Sequence, residues 1–66
     1  MNRKKVGKTL RGLRGERSVP EVARALGVTP NAVTNWECGI RIPRDELKEK
    51  IAKYYRRKPG DIFFED

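Results

Sequence analysis

The stretch SVPEVARALGVTPNAVTNWECG, residues 18–39, contains two short helical patterns separated by a glycine. In the first pattern, Ser18 is a suitable N-cap, and Gly27 is a residue type that commonly ends a helix at positive φ. In the second, Thr29 is followed by a proline, which is favoured at the first helical position, and Gly39 lies where the pattern stops. The sequence therefore predicts two helices joined by a very short turn.

The second of these helices is expected to have an uncharged outer face. Its apolar residues, Ala32, Val33 and Trp36, have the spacing of a buried helix face. No charged residue lies between Arg24 and Glu37, although the chain carries 16 Lys and Arg against nine Asp and Glu, a net charge of +7. Amide and hydroxyl side chains can distinguish base edges, whereas lysines would raise the affinity for every nucleic-acid sequence alike.

A helix is also predicted before this stretch. Residues 1–5 are basic and are expected to form a flexible N-terminus, and Gly15 is expected to end the helix. Gly7 and Gly12 weaken it, each by up to roughly 1 kcal/mol relative to alanine. The apolar stripe of this helix consists of Val6, Leu10 and Leu13.

Two more helices are predicted after residue 39. Pro43 is expected to open a fourth helix, and the segment DIFF, residues 61–64, predicts a short fifth turn that closes the core. Residues 65–66 are expected to fray. The sequence thus predicts one all-α domain over residues 1–66, a small bundle of five short helices. The apolar residues of the last two helices are Leu47, Ile51 and Tyr54 or Tyr55, followed by Ile62 and Phe63 or Phe64.

The composition limits the classes of function. A pI near 10 points to an anionic partner, with nucleic acid and an anionic membrane surface as the candidates. No apolar run approaches the ~20 residues that span a bilayer, and the single cysteine, Cys38, fits a reducing cytoplasm. The sequence contains no histidine, no nucleophile with a matched base and no metal-ligand cluster. We therefore expect neither an enzyme nor a protein that needs a cofactor.

Three segments together resemble the lambda-repressor-like, XRE/Cro-type helix-turn-helix family: VGKTLRGLRGER, residues 6–17, the stretch 18–39, and IRIPRDELKEKIAKYYRRKPGDIFF, residues 40–64. The resemblance implies that helices two and three form the helix-turn-helix and that helix three lies in the major groove of DNA. The most specific part of the resemblance is the frame of Val22, Ala23, Leu26, Gly27, Val28, Val33 and Trp36.

The resemblance also implies roles for individual residues. Arg41 and Arg44 would bind DNA phosphates, and Arg14 would pair with Glu37 to orient helix three. Val19 replaces the glutamine with which family members usually bind a phosphate at the start of helix two. The residues implied to read bases are Thr29, Asn31, Thr34 and Asn35.

The roles predicted for the other charged residues are less specific. Arg56 or Arg57 lies where a glycine or asparagine often ends helix four in the family. The basic residues near the N-terminus, Arg3, Lys4, Lys5 and Lys8, are either a solvated tail or an arm that follows the DNA backbone. The lysines of helix four, Lys48, Lys50 and Lys53, are expected to face solvent.

The function implied by the resemblance is a bacterial or phage transcriptional regulator, with a repressor favoured, in the cytoplasm and on the nucleoid. Since one reading helix covers few base pairs, a dimer on an inverted repeat is expected. The alternative is an antitoxin-like or accessory protein-interaction module that uses the aromatic C-terminal end. The residues expected to form that end, and the homodimer surface of the first hypothesis, are Tyr54, Tyr55, Phe63 and Phe64.

Overall fold

The computed structural model describes residues 2–64 and contains five α-helices and no strand within that range. The predicted all-α bundle of five short helices is therefore confirmed. None of the helices is long and apolar enough to span a bilayer. Met1 and the predicted frayed tail, residues 65–66, lie outside the described residues. The helices are α1 (Arg3–Arg14), α2 (Val19–Leu26), α3 (Pro30–Glu37), α4 (Asp45–Tyr55) and α5 (Pro59–Phe63).

Helix α2 is bounded by the capping residues that the sequence indicates, and α3 begins at the one indicated, while the C-cap of α3 is Cys38, one residue before Gly39. Ser18 Oγ accepts a hydrogen bond from the N–H of Glu21 at 3.1 Å, and Thr29 Oγ1 accepts one from Ala32 at 3.2 Å. Gly27 has φ 71°, the left-handed conformation of a helix C-cap. The three residues 27–29 therefore suffice to connect the two helices.

Helix α1 begins earlier than the sequence pattern predicts. Asn2 Oδ1 accepts hydrogen bonds from the backbone N–H groups of Lys4 and Lys5, at 3.0 and 3.1 Å. Because this cap satisfies donors of the first turn, α1 starts at Arg3. Residues 3–5, which the sequence pattern leaves outside the helix, are thus part of α1.

Helix α4 begins at Asp45, two residues later than Pro43, where the sequence pattern places its start. It ends at Tyr55, and its C-cap Arg56 has φ 57° and donates its backbone N–H to the carbonyls of Ala52 and Lys53. Arg56 is the only non-glycine residue with positive φ within residues 2–64. This conformation costs an L-residue roughly 1–2 kcal/mol, so the helix ends here at an energetic cost.

Lys48 is buried, which corrects the expectation that it faces solvent. Its exposed fraction is 8%, and its Nζ donates a hydrogen bond to Asp45 Oδ1 at 3.1 Å. The same Nζ lies 6.0 Å from the ring centroid of Phe63 and 5.3 Å from that of Phe64. Helix α5 packs back on α4. Lys48 lies three residues before Ile51 and seven before Tyr55, so it shares the buried face of α4 with them.

The apolar stripes of all five helices meet in one core. Helix α3 packs on α1 and α2, while α5 packs on α4 and α1. Phe63 has no exposed surface, and burying a side chain of this kind contributes roughly 1.5–3 kcal/mol. The short α5 therefore closes the core. The core residues are Val6, Leu10, Val22, Ala23, Leu26, Val33, Trp36, Ile51, Ala52, Tyr55, Ile62 and Phe63.

Candidate nucleic-acid interface

The orientation of α3 is set by two buried side chains. Val33 and Trp36 are 2% and 6% exposed and insert into the core. The opposite face of α3 carries short polar side chains, as the sequence predicted. Thr29, Asn31 and Thr34 are exposed, and Asn35 is half-buried.

Thr29 and Asn35 are engaged at the two ends of α3. The Thr29 hydroxyl oxygen accepts the capping bond from Ala32, so its hydroxyl hydrogen is what it can still donate to a ligand. The carbonyl of Asn35 accepts hydrogen bonds from the N–H groups of Ile40 and Arg41, at 2.9 and 3.3 Å. These bonds hold the loop after α3 against the helix and leave the Asn35 amide side chain available.

Arg14 and Glu37 form an ion pair between α1 and the last turn of α3. Arg14 Nε donates a hydrogen bond to Glu37 Oε2 at 2.7 Å, and the two side chains are 18% and 8% exposed. This hydrogen bond raises the pKa of the Arg14 guanidinium above its usual value, against the opposing effect of burial. Because a carboxylate is disfavoured at the negative end of a helix dipole, Arg14 also compensates an unfavourable charge in α3.

Gly7 allows α1 to approach the end of α3 closely, a role that sequence reasoning missed. A Cβ atom at Gly7 would lie 2.5 Å from the carbonyl oxygen of Glu37 and 2.8 Å from that of Trp36. Gly39 also faces α1, since a Cβ there would lie 3.2 Å from Lys4 Cα. The local sequence carries no signal for this crossing because the two helices are far apart along the chain.

Arg41 and Arg44 lie beside α3 and share one cleft of about 340 Å³. Both are exposed, and neither guanidinium makes a hydrogen bond or an ion pair within residues 2–64. Two cations that lack partners beside an uncharged helix face form an arrangement suited to an anionic polymer. The remaining residues of this cleft are Val28, Ala32, Trp36, Ile42, Pro43 and Leu47.

The aromatic C-terminal end is mostly part of the core. Tyr55 and Phe63 are 9% and 0% exposed, and Tyr54 is half-buried. Arg17 covers Tyr54, with its guanidinium carbon 5.5 Å from the ring centroid. Of the four aromatic residues predicted as a contact surface, Phe64 alone is largely exposed, at 59%.

A family model and solved structures relate the chain to known proteins. A family model of the helix-turn-helix domain matches residues 5–62. The chain is similar to the SOS-response transcriptional repressor LexA from Eubacterium rectale, with TM-score 0.90 and 27% identity, over 98% of this chain and 70% of that one. Its fold is also that of the clp gene regulator ClgR from Corynebacterium glutamicum, with TM-score 0.83 and 23% identity, over 97% and 70% of the two chains. The comparison with curated proteins gave no match.

Proposed function

We propose that this chain, which belongs to the helix-turn-helix domain family, is a sequence-specific transcriptional regulator that binds double-stranded DNA. The family and the similarity to LexA support DNA-binding transcriptional regulation. The observation that supports sequence-specific binding is the outer face of α3. This face is polar, uncharged and mostly exposed, within a chain of net charge +7. Residues 6–17, 18–39 and 40–64 resemble the lambda-repressor-like, XRE/Cro-type family. We therefore assign the chain to that type.

In this proposal α3 enters the major groove and its polar side chains read base edges. Asn31 and Asn35 each have an amide that can bond to N6 and N7 of adenine. Thr34 and Thr29 can donate a hydroxyl hydrogen or place a methyl group against thymine. Burial of Val33 and Trp36 supports this geometry because it points the polar face of α3 away from the core.

Arg41 and Arg44 bind backbone phosphates on the same side of the protein. Their common cleft beside α3 supports this assignment, since phosphate contacts position a reading helix without carrying sequence information. Arg14 and Glu37 hold the end of α3 against α1. We assign this pair to orientation of the helix, because a partly buried ion pair contributes little net stability.

The regulator acts as a dimer on an inverted repeat and represses transcription in the bacterial cytoplasm, bound to the nucleoid. One helix of eight residues reads too few base pairs for useful specificity, and two copies on half-sites about one helical turn apart would supply it. The similarity to LexA, which is named a transcriptional repressor, supports repression over activation. Phe64 is the aromatic residue that remains exposed for a C-terminal contact between copies.

The exposure of Phe64 also favours the second candidate, an antitoxin-like or accessory protein-interaction module. Phe64 borders a cleft of about 290 Å³ formed with Asp45, Lys48, Glu49 and Pro59. A module of this kind would bind a protein through that surface and would show little salt-dependent binding to DNA.

Selection of bound duplexes from a random-sequence pool tests the proposal. We expect an inverted repeat that binds at least ~10³-fold more tightly than random DNA. Recovery of no motif, with binding that falls steeply as salt rises, would instead identify a nonspecific coat on DNA. Weak binding without a motif would favour the protein-interaction module.

A further inference from the structure

A second open cleft also has Arg41 in its lining. Its volume is about 520 Å³, and it is lined by Arg3, Ile40, Arg41 and Ile42. Arg41 lines this cleft together with Arg3, and it lines the cleft beside α3 together with Arg44. Arg41 therefore belongs to two adjoining clefts, each of which contains a second arginine. No acidic residue lines either cleft.

Arg3 is attached to the loop after α3 despite its distance along the chain. Its Nη1 donates a hydrogen bond to the carbonyl oxygen of Ile40 at 3.2 Å. Gly39 provides room for this contact, since the first turn of α1 lies directly against it. A guanidinium has five N–H donors in a rigid plane. Arg3 is therefore oriented by one bond and keeps donors for a ligand in the cleft.

The charge around Arg3 is not neutralised by the described protein. The first turn of α1 contains no acidic residue, and Arg3 makes no ion pair within residues 2–64. Lys4 and Lys5, also exposed, add further positive charge to the same turn. Clustered cations with no acidic partner are an unfavourable local arrangement, which an anionic ligand would relieve.

We propose that the cleft between Arg3 and Arg41 binds a backbone phosphate of DNA, so that phosphate contacts extend from the helix-turn-helix to α1. The inference rests on the proposed function and adds a residue outside α2, α3 and their flanking loop. The ligand is the phosphodiester backbone of the duplex that α3 reads. Arg3 then contributes affinity for every sequence and no preference between bases.

The test compares binding of a random-sequence duplex and of a selected preferred duplex as a function of salt concentration. The variants are Arg3→Gln, which removes the charge, and Arg3→Lys, which keeps it. Lys53→Gln is the matched control, since Lys53 is exposed on α4 and lines neither cleft. Thermal unfolding of each variant establishes that it is folded.

We expect Arg3→Gln to weaken both duplexes by the same factor and to reduce the slope of log affinity against log salt by about one unit. Arg3→Lys is expected to keep most of the slope, and Lys53→Gln to keep all of it. The double variant Arg3→Gln/Arg41→Gln should lose less affinity than the sum of the two single losses, because both residues bind one phosphate.

An unchanged slope in folded Arg3→Gln, beside steep salt dependence in the wild type, would overturn the inference and leave the proposed function intact. An equal loss in Arg3→Gln and Lys53→Gln would also overturn it, because the effect would then come from net charge alone. If the wild type shows no salt-dependent binding to DNA, the proposed function fails and the inference fails with it.

Discussion

Arg14 Nε lies 2.7 Å from Glu37 Oε2 and joins the last turn of α1 to the last turn of α3. Arg14 also donates a hydrogen bond from Nη1 to the carbonyl oxygen of Arg17 at 2.7 Å. One guanidinium thus connects the end of the candidate reading helix with α1 and with the segment that leads into α2. The two residues of this ion pair are 23 positions apart along the chain.

Replacing Arg14 with methionine tests this connection. Arg14→Met keeps an unbranched apolar stem but leaves the Glu37 carboxylate without its partner, so we expect stability to fall by about 1–3 kcal/mol. Urea denaturation measures the loss. The double variant Arg14→Met/Glu37→Met should recover part of it, because no unpaired charge then remains. A single variant as stable as the wild type would show that the ion pair does not hold the two helices.

Gly7 and Gly12 are expected to respond in opposite ways to alanine. Gly7→Ala should destabilise the fold by about 1–3 kcal/mol, since the new Cβ would press against backbone carbonyls of α3. At Gly12, no neighbouring atom lies within 4 Å of the position that a Cβ would take, so Gly12→Ala should stabilise α1 by about 0.5–1 kcal/mol. Denaturation midpoints of the two variants check this, and shifts of the same sign would contradict the close helix crossing.

Arg56 occupies a backbone conformation that glycine adopts more easily. Arg56→Gly should raise stability by about 1 kcal/mol, because it relieves the strain of φ 57° at the end of α4. Arg57→Gly is the matched control, since Arg57 does not have positive φ and the change removes the same charge. Thermal denaturation separates the two variants. Equal melting temperatures would mean that Arg56 carries no strain.

Variants of the proposed base-reading residues should lose preference between DNA sequences, whereas variants of the proposed phosphate-binding residues should keep it. Asn31→Ala or Asn35→Ala is expected to cost ~1–3 kcal/mol on the preferred site and to relax preference at one base pair. Arg44→Ala should weaken all duplexes alike and reduce the salt slope by about one unit. Affinities for single-base variants of the site measure both. Equal losses of Asn31→Ala on all sequences would exclude base reading by this residue.

We expect the fold to lose stability at alkaline pH because of the titration of Tyr55. Burial, with a smaller contribution from the negative charge of Glu37, raises the pKa of Tyr55 from 10.0 to about 12. Between these values the unfolded chain releases a proton that the folded chain keeps, so unfolding becomes more favourable as pH rises. The contribution of Tyr55 to the free energy of unfolding is full below pH 10 and disappears towards pH 12. Over this range the free energy of unfolding falls by at most about 1.4 kcal/mol per pH unit on account of Tyr55.

Denaturation curves across this pH range compare the wild type with Tyr55→Phe. In Tyr55→Phe, the free energy of unfolding should not show the part of the decrease with pH that Tyr55 causes. All other titrating groups are the same in both proteins. A decline of equal steepness in the two proteins would show that Tyr55 is not the group responsible.

Local sequence was enough to predict the helix-turn-helix and the chemistry of its outer face. Ser18, Gly27 and Thr29 act through bonds and dihedral angles within a few residues, so their effect is visible without the rest of the fold. The helical spacing of Val33 and Trp36 likewise determines which side of α3 is polar. These features depend on short-range geometry, which the order of residues specifies directly.

Contacts between distant segments decided the remaining features. Lys48 lies against the ring of Phe64 because α5 folds back over α4, and Gly7 is needed because α1 crosses the end of α3. Arg3 reaches the cleft beside Arg41 through a contact 37 residues away along the chain. Helical periodicity describes one helix at a time, so it shows which face is apolar but not which neighbour covers it. That information arises only when the helices pack.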